Sequence, residues 1–135
     1  MSAPPPQLVV DASVLVDALT TAGIVGDRAR KAIRNHRWFA PEHLRTEVFN
    51  SIRGRVLGSK LNADAGLRAL RRFANTDVEV VPTLLLLDRM WELRHNFSGY
   101  DAGYVAAAEY VGVPLVTSDR RLAAAPSLQC EVRVP

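Results

Sequence analysis

Four acidic residues sit where a side chain can do chemistry. Asp11 directly follows the apolar run Leu8, Val9, Val10, and Asp119 follows Leu115, Val116, Thr117 and Ser118. Both runs are short and apolar, and read as buried strands. In parallel α/β sheets, ligands bind beyond the carboxyl ends of the strands. Two carboxylates are therefore delivered to that edge from opposite ends of the chain. Asp101 comes from a third element, in the first turn of a helix and on the same stripe as Tyr104, Val105 and Ala108. That stripe faces the sheet, so this carboxylate falls at the rim of the core. Glu47 is the fourth candidate, mid-helix, with Asn50 one turn further on. Crowded carboxylates repel unless protons or cations compensate. Hard divalent cations such as Mg²⁺ or Mn²⁺ take oxygen ligands and keep several waters, so a few carboxylates hold one or two ions. Such ions activate a water and clamp a phosphate, lying about 3.5–4 Å apart where there are two. No His, Cys or Lys nucleophile is needed.

The elements that must position these residues alternate in type. Strands are predicted over 8–10, 38–40, 78–81 and 114–117, with a last edge strand over 131–134. A helix over 13–19 carries Val14, Leu15 and Ala18 on one side, and a second covers 24–36. Pro41 is read as the first residue of a long helix to Leu57, with Leu44, Val48, Ile52 and Val56 inward. Asn62 caps a helix to Ala74 with Leu67, Leu70 and Phe73 inward. Thr83 caps another to Asn96, and a helix begun at Ser98 is stopped by Gly112. A short helical turn follows Asp119. Strands alternating with helices imply an α/β three-layer sandwich, a short and mostly parallel central sheet flanked by helices. Pro4, Pro5 and Pro6 suggest a flexible tail over residues 1–6, leaving 7–135 as a single domain.

With the motifs placed, a resemblance emerges. Val10, Asp11, Ala12, Ser13 and Val14 resemble the opening motif of the PIN-domain nucleases, an Asp ending the first strand with Ser or Thr two residues on. Glu47, Val48, Phe49 and Asn50 are similar to the second acidic motif, Tyr100 to Tyr104 to the third, and Leu115 to Leu122 to the fourth. The order is right, and the resemblance runs from about Leu8 through essentially the whole chain. Length and motif spacing are most similar to the VapC toxins of bacterial toxin–antitoxin pairs. The resemblance implies a PIN-like fold and a Mg²⁺- or Mn²⁺-dependent endoribonuclease. It also implies an RNA substrate, a VapB-type antitoxin and a toxin homodimer. By matching position it makes Asp11, Glu47, Asp101 and Asp119 the metal-binding carboxylates. Ser13 and Thr117 would hydrogen-bond them or a bound water, with Asn50 a supporting neighbour.

Each acidic residue also has a plainer reading. Asp11 and Asp119 can cap helices, Asp101 stands three residues after Ser98 as in a capping box, and Glu47 can be a solvated helix residue. Those readings leave unexplained why three aspartates converge on one sheet edge. His36, His43 and His95 are scattered and read as surface positions, and Asp17 as an ordinary helix residue. Trp91 reads as core or as a dimer contact. Arg120 and Arg121, beside the acidic site, are candidate RNA contacts. Two rivals remain. A receiver or dehalogenase-type phosphoryl-transfer protein would want a second acid where Ser13 stands, or a late Lys, and lacks both. A catalytically inactive PIN-like module would bind RNA or protein without metal.

Composition sets the outer bounds. The chain has 135 residues, 48% of them hydrophobic, enough to bury a core without disulfides. Its single Cys, Cys130, excludes an internal disulfide and any cysteine metal cage. Net charge is +3, and apart from Lys31 and Lys60 every side-chain cation among Lys and Arg is Arg, whose planar fork suits phosphate oxygens. No signal peptide or membrane span is predicted, so the expected location is the cytoplasm.

Overall fold

The computed structural model describes residues 3–135. Of the tail expected over 1–6, Met1 and Ser2 lie outside the described residues. Residues 3–5 are exposed coil, and the Pro6 carbonyl accepts the Arg37 N–H at 2.9 Å.

The chain runs β1 (Gln7–Val10), α1 (Ala12–Thr20), α2 (Ile24–Ile33), β2 (Arg37–Pro41), α3 (Leu44–Leu57), α4 (Ala63–Ala74) and β3 (Val78–Val81). A 3₁₀ turn (Thr83–Leu85), α5 (Leu87–Glu92), α6 (Gly99–Val111), β4 (Leu115–Val116), α7 (Arg120–Ala124) and β5 (Val132–Arg133) complete it. All strand pairings are parallel, in the order β3-β2-β1-β4-β5. The first half of the chain builds outward from β1 through β2 to β3, and the second half returns to the other side of β1. The switch point therefore lies between β1 and β4, where Val9 pairs with Leu115 and Val10 with Val116.

Burial explains the composition of the central strands. Leu8, Val9, Val10, Leu115 and Val116 are fully enclosed, so unbroken apolar runs replace alternation. Against β1, β2 and β4 lies α6, whose buried Ala102, Ala106, Ala107 and Ala108 let its backbone approach the strands. Gly112 ends α6 in the left-handed region at φ 79°, turning the chain into β4. Elsewhere α1 packs on α2, α3 and α4.

Several boundaries differ from expectation. Pro41 is not a helix start but the last residue of β2, paired with Val81. The pairing with β1 ends two residues earlier, at Phe39, so the missing proline N–H costs no ladder bond there. Helix α3 begins at Leu44, after a turn. Helix α2 stops at Ile33 because Arg34 is extended and Asn35 takes a positive φ of 62°. The helix expected over 83–96 is broken into a 3₁₀ turn and the short α5 at Leu86. In α4 the inward side is Gly66, Ala69 and Phe73, and Leu67 is 46% exposed. Trp91 is not core: it is 68% exposed, under the Arg94 guanidinium at 4.3 Å. Among the described residues no helix is long and apolar enough to cross a membrane.

Candidate metal-binding active site

Asp11 is the N-cap of α1, and its own N–H extends the β1–β4 ladder by donating to Val116 O at 3.0 Å. Its Oδ1 accepts from the Ser13 amide at 3.4 Å and its Oδ2 from the Thr117 hydroxyl at 2.5 Å. Thr117 is fully buried, and the same hydroxyl accepts the Asp119 N–H at 3.1 Å. The Ser13 hydroxyl accepts the Ser118 N–H at 3.2 Å. Two loops more than a hundred residues apart are thus laced together by their own side chains. Capping does not compete with a site here, because a capping carboxylate keeps lone pairs to spare.

Electrostatics link the remaining acids to Asp11. Burial holds the Asp11 carboxyl above the usual range, partly offset by the Thr117 and Ser13 hydrogen bonds. Asp101, in the first turn of α6, is raised by burial and then by the charges of Asp11 and Asp119. Glu47, on α3, is raised by burial and by Asp11 and Asp101. Four carboxylates from four segments thus form one chain of mutually repelling neighbours. Asp119 differs: the Arg121 guanidinium grips it in a fork, Nε–Oδ1 at 3.1 Å and Nη2–Oδ2 at 2.8 Å, which lowers its pKa. Arg121 is 88% exposed, so this clasp is on the surface. Arg120 is exposed and makes no ion pair among the described residues. Asn50 is exposed and hydrogen-bonds to none of these acids.

The structure also places residues in the site that the sequence reading left out. His43 is not a surface residue. Its side chain is 18% exposed, with Nε2 3.1 Å from Tyr100 O and 3.3 Å from Glu47 Oε1. Burial lowers its pKa, against the pull of the nearby Asp11 and Asp101 charges. The i,i+4 spacing of His43 and Glu47 was the available signal. Tyr104 is also present, its buried hydroxyl beside the Glu47 carboxylate and its pKa raised by burial and then by the Glu47 and Asp11 charges. Asp17, expected to be an ordinary helix residue, instead pairs with Arg55 of α3 at 3.0 Å and accepts from Thr21 at the same distance.

The metal expected at this cluster passes a chemical test. The donors are all carboxylate oxygens, and Glu47 Oε1 is buried with no hydrogen bond. A hard divalent cation is the partner that such mutually repelling oxygens favour. The side chains are not already gathered around one point: no three His, Cys, Asp or Glu side chains among the described residues are set to hold an ion.

Comparison with known proteins agrees with this architecture. The PIN domain family matches residues 8–128. Ribonuclease VapC1 of Mycobacterium tuberculosis (strain ATCC 25618 / H37Rv) is 39% identical over 131 residues, covering 95% of this chain and 97% of that one. Two solved structures share the fold. The crystal structure of Mycobacterium tuberculosis VapC20, described as a sarcin-ricin loop cleaving toxin, superposes with a TM-score of 0.66 at 20% identity, covering 92% of this chain and 98% of that one. VapBC2 from Rickettsia felis, bound to a DNA fragment from its promoter, gives 0.63 at 14% identity, covering 95% and 98%. The chain belongs to the PIN-domain family and, within it, to the VapC ribonucleases.

Proposed function

We propose that this chain is a toxin of a toxin–antitoxin pair, an endoribonuclease that hydrolyses RNA at the acidic cluster with Mg²⁺ or Mn²⁺. One observation carries this: Asp11 and Asp119, from opposite ends of the chain, meet through the Thr117 hydroxyl where β1 pairs with β4, with Asp101 and Glu47 close enough to feel the Asp11 charge. Their likeness to the acidic motifs of the family, and the ribonuclease name of VapC1, support the same reading.

When bound there, the cation supplies an activated water and neutralises charge on the scissile phosphate. The protein's own contribution is placement. Thr117 and the Ser13 amide fix the Asp11 carboxylate from two sides, so it enters the reaction already oriented. The Ser13–Ser118 bond holds the β4 loop in register with it. Asp101 and Glu47 bring further oxygens from α6 and α3. Arg120 meets the RNA backbone, and Arg121 exchanges Asp119 for a phosphate as the substrate arrives. A VapB-type antitoxin restrains the free toxin. A second copy of the chain forms a homodimer, for which the exposed Leu84, Leu85, Leu87 and Trp91 offer an apolar surface.

Purified chain incubated with cellular RNA in Mg²⁺ or Mn²⁺ tests the proposal. Cleavage is expected, with reversible loss in EDTA. Asp11→Asn is expected to lower the rate by at least roughly 100-fold with an unchanged circular dichroism spectrum. Cleavage that survives EDTA or this substitution overturns the metal-site mechanism.

A further inference from the structure

We propose that His43 is a positioning residue of the acidic site, its Nε2–H pinning the first turn of α6 to the start of α3 and so setting Asp101 relative to Glu47. This inference rests on the nuclease reading above and adds a residue that reading does not use.

The geometry begins with the proton. A carbonyl oxygen only accepts, so the ring nitrogen facing Tyr100 O at 3.1 Å is the one that carries hydrogen. That carbonyl belongs to the residue before Asp101 in the first turn of α6. His43 itself occupies the N-cap position of α3 but makes no side-chain cap bond there, which leaves its imidazole free to reach across. The N–H is spent on Tyr100 O, so Glu47 Oε1, though only 3.3 Å from Nε2, is left without a hydrogen bond. One side chain thus meets both the backbone that carries Asp101 and the Glu47 carboxylate.

Packing makes the ring's position nearly unique. It meets Tyr100 edge-on at 5.1 Å between centroids and Tyr104 edge-on at 5.0 Å. Its remaining side lies against Gly103, where an added Cβ would stand 2.6 Å from His43 Cε1. A side chain at 103 would therefore push the ring aside, with no positive φ there to add backbone strain. Two tyrosines and a glycine thus surround the ring, whose Nε2 faces Tyr100 O and Glu47 Oε1.

Residues that orient metal-binding carboxylates typically change metal affinity or activity by roughly 10–100-fold when lost. Calorimetric Mn²⁺ binding and steady-state RNA cleavage, measured on the full chain, separate this role from simple stability. His43→Phe keeps the ring packing and removes the donor. It is expected to weaken Mn²⁺ binding about 10-fold and to lower kcat while leaving KM for RNA unchanged. His43→Gln returns an N–H donor and is expected to recover most of both. Gly103→Ala, which displaces the ring without touching its chemistry, should reproduce the His43→Phe pattern. Wild-type Mn²⁺ affinity and kcat in His43→Phe and Gly103→Ala overturn the inference while sparing the nuclease reading. So does a Gln variant no better than Phe. A wild-type chain that neither binds Mn²⁺ nor cuts RNA overturns both.

Discussion

Thr117 accounts for much of the order at the acidic site. Its hydroxyl gives its proton to Asp11 and takes the Asp119 N–H, so one buried group orients two acids from different ends of the chain. The acids themselves are held at a cost. Asp11, Glu47 and Asp101 are all raised above the ordinary carboxylate range, burial being the largest cause for each. Their folded-state pKa values exceed those of the unfolded chain, so the folded state binds protons more tightly. The stabilisation this gives is complete below the usual carboxylate range and is lost as pH rises through the raised values. His43, with a lowered pKa, works in the opposite sense as pH falls through the histidine range. The difference between Asp11→Asn and wild type isolates the carboxylate effect. In EDTA at about pH 7.5 the Asn variant is expected to melt higher than wild type, by a few degrees. That advantage should shrink toward zero by about pH 4, as followed by scanning calorimetry.

At the scale of elements, α6 and its exits decide where Asp101 and Asp119 end up. Its alanines allow a close approach to β1, β2 and β4, and its first turn is capped by the Ser98 hydroxyl, which accepts the Asp101 N–H at 3.2 Å. Gly112 then reverses the chain into β4. No atom lies within 4 Å of a Cβ added at Gly112, so substitution there meets only backbone strain. Gly112→Ala is expected to destabilise the fold by about 1 kcal/mol, read from the urea midpoint. Mn²⁺ affinity should be unchanged, because the strain lies at the far end of α6 from Asp101. A loss of affinity together with stability would show that the turn also sets the register of β4.

For the whole molecule, the parallel order β3-β2-β1-β4-β5 puts the reversal of strand order beneath the acidic cluster. A cation bound there is bound only by the folded state, since the ligands are scattered from residue 11 to residue 119. Binding therefore stabilises the fold by mass action, by about 2.7 kcal/mol at a hundred times the dissociation constant. Added Mn²⁺ is expected to raise the melting temperature of wild type by several degrees and of Asp11→Asn hardly at all. Equal shifts in the two proteins would place the ion elsewhere.

How much of this could be read beforehand follows from where each determinant lies in the chain. Apolar runs bounded by Asp, Gly and Pro are local, so the strands, the alternating α/β plan and the order of the acidic motifs were legible in the residues alone. The end of β2 at Pro41 was not, because only the neighbouring strands decide whether a proline costs a ladder bond. The break in the helix after Thr83 and the outward Leu67 likewise depend on what packs nearby. So does the role of His43: nothing local to it names Tyr100 or Gly103, which lie on another helix. Sequence by itself determined which side chains had the chemistry to hold a divalent ion. Tertiary structure alone decided which groups hold those side chains in place, because hydrogen bonds and ring packing across α3, α6 and the β1–β4 edge join residues that the chain keeps far apart.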